Sequence, residues 1–155
     1  MIFVDDCTRF CLIRATDFRD FDDLERVLRR SWLSQFGPMK ILRLDRESAL
    51  AHDKFGAYCE KLGITRDLVR AKDEHTRLGV VGRRVQLFRK QAQLLMESLA
   101  ASGVVIEPED LASEAEFCMN TQLSYGGTCP YTCLYGALPP NILDVELDTI
   151  CSFNE

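Results

Sequence analysis

Two kinds of apolar pattern alternate along this chain, and their alternation limits the possible folds more than any other feature. Short runs rich in β-branched and aromatic residues are typical of strands, and they occupy residues 2–4, 10–15, 39–44 and 64–69. Between and after them, apolar residues recur every three or four positions, as on one face of a helix. The order strand–strand–helix–strand–helix–strand–helix–helix predicts an α/β domain with a central sheet.

Polar caps and chain breakers predict where the first two helices begin and end. Asp20 or Asp22 is expected to cap a helix that runs to about Phe36, where a Gly-Pro pair stops it. Ser48 is expected to cap a second helix that ends at Lys61 and is followed by a C-capping glycine.

The clearest helical pattern lies in the second half of the chain. Its apolar stripe consists of Val81, Val85, Phe88, Ala92, Leu95 and Leu99. Gly103 is expected to close this helix, and Pro108 to open another one that runs through residues 109–120. Residues 70–79 and 124–141 show no such periodicity and are predicted to be loop and irregular chain, respectively.

Length and composition exclude several classes of protein. The chain has 155 residues, of which 46% are hydrophobic and 28% charged, as expected for one compact globular domain rather than a disordered chain. No apolar stretch approaches the ~20 residues of a membrane span, and we expect no secretory signal because two aspartates follow the first four residues. The seven cysteines are therefore expected to be reduced thiols in an intracellular protein without a membrane partner.

Charge is distributed unevenly along the chain, whose formal net charge is -5. Residues 61–90 carry nine basic against three acidic side chains, whereas residues 91–155 carry ten acidic side chains and no basic ones. A basic block within an acidic chain predicts a surface that faces phosphates, although a solvated helix face would have the same composition. Residues 141–155 are predicted to form an acidic tail.

Two groups of residues are candidates for metal binding. Asp45 follows a predicted buried strand, where α/β proteins place ligands and where a carboxylate suits Mg²⁺; an ordinary strand-end turn would also explain it. The pairs Cys7/Cys11 and Cys129/Cys133 are spaced more widely than the cysteine pairs usual in structural zinc sites. We therefore expect Cys11 to pack in the core.

Four segments match, in order, the motifs of one known family. They are residues 4–10 (VDDCTRF), 41–45 (ILRLD), 75–84 (HTRLGVVGRR) and the segment from Asn120 through 127–136 (GTCPYTCLYG). Together they resemble the catalytic core of retrotransposon and retroviral-type integrases over roughly residues 2–140. The resemblance implies a ribonuclease-H-like mixed sheet flanked by helices. It also implies two aspartates and a glutamate that hold two Mg²⁺ or Mn²⁺ ions for attack on a DNA phosphodiester, a homo-oligomer, and a nuclear location.

The match departs from the family at the catalytic acids. Asp45 corresponds to the second acid, and Gly82 occupies the position of the third. The first acid belongs on a strand that precedes the 4–10 hairpin, so that strand is expected to be missing from the fold. Asp5 or Asp6 could substitute for it, but only 39 residues separate Asp5 from Asp45, too few for the family pattern. Metal binding through Asp45 is therefore expected to be weak, without catalysis by this chain alone.

Two functional hypotheses follow from this reading. In the first, residues 1–140 form a partial integrase core related to DNA integration, residues 141–155 form the acidic tail, and a set of basic residues contacts nucleic acid. That set comprises Lys72, Arg77, Arg83, Arg84 and Lys90. In the second, the chain is a non-enzymatic interaction module on a decayed ribonuclease-H-like scaffold, and its acidic tail binds a basic partner.

Overall fold

The computed structural model describes residues 1–16, 21–45, 53–69, 79–124 and 126–140. Its strands are β1 (Ile2–Val4), β2 (Cys11–Ile13), β3 (Ile41–Asp45) and β4 (Thr65–Val69). Its helices are α1 (Phe21–Leu28), α2 (Ser34–Phe36), α3 (Asp53–Lys61), α4 (Gly79–Ala101), α5 (Pro108–Thr121) and α6 (Pro130–Tyr135), with a π-helical turn over Arg29–Leu33 between α1 and α2. The predicted class, a mixed α/β fold with helices flanking the strands, is confirmed.

The predicted central sheet is divided in two within the described part of the chain. Strands β1 and β2 pair antiparallel, with Phe3 opposite Leu12. Strands β3 and β4 pair in parallel, with Leu44 opposite Leu68. The prediction of a single sheet is therefore wrong for these residues, because β1 and β3 each hydrogen-bond to a neighbouring strand on one side only.

The turn between β1 and β2 is held by its own polar side chains. The Asp5 carboxylate accepts hydrogen bonds from the Thr8 main-chain N–H (2.7 Å) and hydroxyl (2.8 Å). The Asp5 N–H donates to the Phe10 carbonyl at 2.8 Å, and Arg9 adopts a positive φ of 65°. These bonds close a tight hairpin, as the sequence predicts for this segment.

Two apolar clusters form the core. The larger joins α1, β3 and α3, and its buried members are Leu24, Leu28, Leu44, Phe55, Cys59 and Ile64. The smaller packs β2 against α5 through Cys11, Ile13, Ala112 and Met119. Phe3 of β1 also packs against the larger cluster, so that cluster contacts both strand pairs.

Three helical predictions compare differently with the structure. The helix predicted to reach Phe36 does end there, before Gly37 with φ 71°. It is not a continuous α-helix, because it contains the π-helical turn. The helix predicted from Ser48 is described only from Asp53, because residues 46–52 lie outside the described part. The 124–141 segment is not wholly irregular, since α6 lies within it.

Helix α6 forms because its short sequence carries a cap at each end. Pro130 occupies its first turn, the Cys129 sulfur accepts a hydrogen bond from the Thr132 N–H, and Gly136 ends it with φ 83°. Tyr131 and Tyr135 then pack on the Phe10 ring, with centroid separations of 6.5 and 5.9 Å. Among the described helices, none is long and apolar enough to cross a membrane.

Candidate functional site

Asp45 is the last residue of β3, at the strand end where the sequence predicts it. It lies in register with Val69, the last residue of β4, so both parallel strands end at the same edge. The preceding residue, Leu44, is buried in the larger core cluster. This edge is where α/β folds commonly hold ligands.

Gly82 lies in the first turn of α4 and is exposed. A Cβ atom added there would have no other atom within 4 Å, so neither close packing nor a positive φ requires glycine at this position. The helix would accept the acidic side chain that the family resemblance places here.

The remaining acidic candidates are engaged within the hairpin. Asp5 accepts its two hydrogen bonds from Thr8, and Asp6 forms ion pairs with Arg9 (2.6 Å) and Arg43 (3.6 Å). Across the described ranges, no three His, Cys, Asp or Glu side chains come together as a metal-binding group. Asp5 and Asp6 therefore do not fit a two-metal site in the described part of the chain.

One residue of the predicted basic surface is buried in the structure. Arg83 and Lys90 are exposed on α4, whereas Arg84 is only 1% exposed. Its guanidinium donates to the main-chain carbonyl of Arg9 and, at 3.4 Å, to that of Met119. The prediction that Arg84 contacts nucleic acid is wrong, because its charge is buried between the hairpin and α5. The other two predicted contacts, Lys72 and Arg77, lie outside the described residues.

The sequence does carry a signal for the burial of Arg84. It follows Val81 by three residues and precedes Phe88 by four, so it falls within the apolar stripe of the helix. A charged side chain is usually expected on the solvated face of a helix, but here helical position decides the environment of Arg84.

Two side chains of α5 cover the outer edge of β2, and sequence reasoning missed this role. The Asn120 side chain, which is 2% exposed, accepts from the Cys11 N–H at 2.9 Å and donates to the Cys11 carbonyl at 2.7 Å. Glu116 accepts from the Ile13 N–H at 2.5 Å and pairs with Arg14 at 2.6 Å. In the sequence, Asn120 belongs to the family motif, and Glu116 carries no distinguishing signal.

The cysteines do not assemble as a zinc site in the described part of the chain. Cys11 is fully buried, whereas Cys7 is exposed, so the prediction that Cys11 packs in the core is confirmed. Burial raises the pKa of the Cys11 thiol to about 11, with Glu116 adding to the increase and Arg84 opposing it. Cys129 serves as the cap of α6.

No protein-family model and no curated protein matches this chain. Solved structures do match it. A chain in the cryo-EM structure of the simian T-cell lymphotropic virus intasome, in complex with PP2A regulatory subunit B56 gamma, superposes with a TM-score of 0.76 at 15% identity. That match covers 90% of this chain but 49% of the other, so this protein spans about half the length of that relative.

Two structures of the HTLV-2 integrase catalytic core domain in complex with magnesium also match. The dimeric form gives a TM-score of 0.67 at 11% identity, over 84% of this chain and 79% of the other. The trimeric form gives 0.67 at 12% identity, over 84% and 80%. At these identities the comparison establishes the fold, which is that of retroviral integrase catalytic cores.

Proposed function

We propose that this protein is an integrase-type core related to DNA integration, which binds nucleic acid and does not catalyse strand transfer by itself. The observation that carries the proposal is the solvent-exposed side of α4, where Gly82, Arg83 and Lys90 lie on an integrase-core fold. The glycine replaces an acid that the resemblance assigns to catalysis, while the basic residues remain accessible to phosphates.

The catalytic half of the proposal rests on the number of carboxylates. Two divalent cations that bracket a phosphodiester need several fixed carboxylates to neutralise and position them. Asp45 supplies one such group, Gly82 supplies none, and Asp5 is engaged by Thr8. Removal of that electrostatic stabilisation eliminates the main source of rate enhancement in phosphoryl transfer. We expect Mg²⁺ or Mn²⁺, the family's ions, to bind weakly through Asp45.

The binding half rests on the position of the exposed cations. Arg83 and Lys90 are seven residues apart on α4, which places them on the same side and about 10 Å apart along the helix axis. Cations at this separation can contact different phosphates of one duplex and would bind without base specificity. The intasome relative and the dimeric and trimeric HTLV-2 cores support including self-association in the proposal. A nuclear location is proposed only because the family resemblance implies it.

The test compares two double variants in duplex binding measured by fluorescence anisotropy over a range of salt concentrations. We expect Arg83→Ala with Lys90→Ala to weaken binding several-fold and to reduce the slope of log K against log salt by about 1–2. The matched control is Arg30→Ala with Lys40→Ala, which removes two exposed cations outside α4. Equal losses in both variants, or no loss in either, would contradict the proposed surface and favour the interaction module.

A further inference from the structure

A polar cavity lies between the end of β2 and the helical segment that begins with α1. Its volume is about 420 Å³, within the range of about 300–1,000 Å³ that is typical of ligand pockets. Arg14 and Thr16 line it from the β2 side, and Arg26, Arg30 and Ser31 line it from α1 and the π-helical turn. Within the described chain, no residue of β3 or α4 contributes to this lining.

Ser31 occupies a position in the helical segment where an apolar side chain would be expected. It follows Leu24 by seven residues and Leu28 by three, which is the spacing of one helical face, and both leucines belong to the larger core cluster. Ser31 is likewise only 3% exposed. Burial of a hydroxyl is unfavourable unless the group finds a hydrogen-bond partner.

The Ser31 hydroxyl has no such partner among the described residues. The next serine along the chain, Ser34, differs in this respect, because its hydroxyl donates to the Arg30 carbonyl at 2.8 Å. A buried hydroxyl that lines a polar cavity and lacks a protein partner can bond to an occupant of that cavity. Ser31 also lies in the π-helical turn over Arg29–Leu33, and such turns within helices are frequent at functional sites.

The charged side chains that line the cavity are mainly basic. Arg14, Arg26 and Arg30 carry three positive charges against the single negative charge of Asp23, a net charge of +2. Arg26 pairs with Asp23 through Nη2, and Arg14 pairs with Glu116 through Nη1. Because a guanidinium has five N–H donors, both arginines keep donors beyond these ion pairs.

Arg30 forms no ion pair with any described residue. It is exposed, whereas the adjacent Arg29 pairs with Glu25. Arg30 and Ser31 therefore bring a cation and a hydroxyl donor to one cavity, and the described protein groups satisfy neither of them. An anion with several acceptor oxygens would satisfy both at once.

We propose that this cavity binds a phosphate dianion, either free or as the monoester group of a small organic molecule. Its oxygens would accept hydrogen bonds from the Ser31 hydroxyl and from the guanidinium groups, whose fork of N–H donors matches phosphate geometry. Its charge offsets the net charge of +2 on the lining side chains. The cavity is larger than a single phosphate group, so it has room for the organic part of a monoester.

This site is independent of the proposed DNA surface on α4. A DNA duplex, whose major groove alone is about 12 Å wide, is too large to enter a cavity of about 420 Å³. We therefore expect the removal of Arg30 to leave duplex binding unchanged.

The experiment measures binding to the full chain by isothermal titration at pH 7.5 in a buffer without phosphate. The probes are inorganic phosphate, phenyl phosphate and methyl phenyl phosphate. We expect saturable binding of the first two at one site per chain, and at least tenfold weaker binding of methyl phenyl phosphate, because this diester carries a single negative charge. Tighter binding of phenyl phosphate than of inorganic phosphate would identify an organic monoester as the ligand, and any other order would identify the free ion.

Two pairs of variants assign the binding to the cavity. Arg30→Gln should weaken phenyl phosphate binding at least tenfold, whereas Arg29→Gln, at the adjacent exposed arginine outside the lining, should not. Ser31→Ala should weaken binding at least threefold, whereas Ser34→Ala, which removes a hydroxyl already bonded to the main chain, should not. Without ligand, Ser31→Ala should keep or raise the midpoint of thermal unfolding, because its hydroxyl loses no partner.

Four outcomes would overturn the proposal. Three of them are no saturable binding of either dianion, equal affinity for phenyl phosphate and its methyl ester, and equal losses in Arg29→Gln and Arg30→Gln. The fourth is a lower thermal midpoint of Ser31→Ala with unchanged phosphate affinity, because the hydroxyl would then stabilise the fold instead. If Ser31→Ala does not fold, the arginine pair decides by itself. None of these outcomes depends on whether the protein binds DNA.

Discussion

The side-chain amide of Asn120 pairs with the main chain of Cys11 through two hydrogen bonds, of 2.9 and 2.7 Å, although 109 positions separate them in the sequence. Asn120 thereby takes the place of a neighbouring strand at the outer edge of β2 and joins α5 to the hairpin. The bonds lie in a buried site, since Cys11 is 0% exposed and Asn120 2%.

Asn120→Ala should destabilise the protein by about 2–4 kcal/mol, because two buried main-chain groups of Cys11 lose their partners at once. Urea denaturation followed by circular dichroism measures the change in the free energy of unfolding. Thr121→Ala, which removes a hydroxyl bonded to the Phe117 carbonyl on the exposed side of the same helix, serves as the control and should cost less than about 0.5 kcal/mol. If both variants lose a similar free energy of unfolding, the two hydrogen bonds of Asn120 do not stabilise the fold more than an exposed hydroxyl does.

Arg84 and its neighbour Arg83 should respond in opposite ways to substitution by methionine. Arg84→Met leaves the carbonyls of Arg9 and Met119 without their buried donor and should destabilise the fold by about 2–4 kcal/mol. Arg83→Met removes an exposed charge and should leave the stability within about 0.5 kcal/mol while it weakens duplex binding. Thermal unfolding and anisotropy measure the two effects. Reduced DNA binding by Arg84→Met with unchanged stability would place Arg84 at the surface.

Gly82→Glu should bind Mg²⁺ or Mn²⁺ more tightly than the parent protein, because two carboxylates hold a cation better than Asp45 alone. Gly82→Gln is the matched control: both variants gain about 0.5 kcal/mol of helix propensity, and only the glutamate adds charge. Isothermal titration with metal measures the difference. We expect neither variant to cut or join DNA, since Asp45 and one added acid are fewer carboxylates than two bound cations need. Equal metal affinity in both variants would show that residue 82 does not face Asp45.

The Cys11 thiol should make stability fall in alkaline solution. Burial raises its pKa from 9.0 to about 11, so the folded state holds the thiol proton more tightly than the unfolded state. The contribution is complete below pH 9 and disappears as pH rises through 11, a loss of roughly 3 kcal/mol. Urea denaturation between pH 8 and pH 11.5 measures it, with Cys11→Ala as the comparison. If the stability of Cys11→Ala falls as steeply with pH as that of the parent protein, the loss comes from other groups.

The local pattern of apolar residues in the sequence was sufficient to predict much of the fold. The stripe from Val81 to Leu99 predicted α4, and a short apolar run predicted β3 with Asp45 at its end, because helix and strand periodicities depend on residues a few positions apart. The resemblance of short motifs led to the integrase-core fold, which the solved structures then matched. For α4 and β3 the signal lies within the element that it predicts, whereas the resemblance depends on the order of four short segments along the chain.

Contacts between distant segments decided the rest. The sequence by itself determined the helices, the strands and the charge of Arg84, but only the tertiary structure buried that charge against the Arg9 carbonyl, 75 residues away. It also closed the outer edge of β2 with Asn120. Hydrogen bonds of this kind depend on which elements meet in space, and a main-chain donor is identical in every residue except proline. No local pattern marks which donors will find a partner.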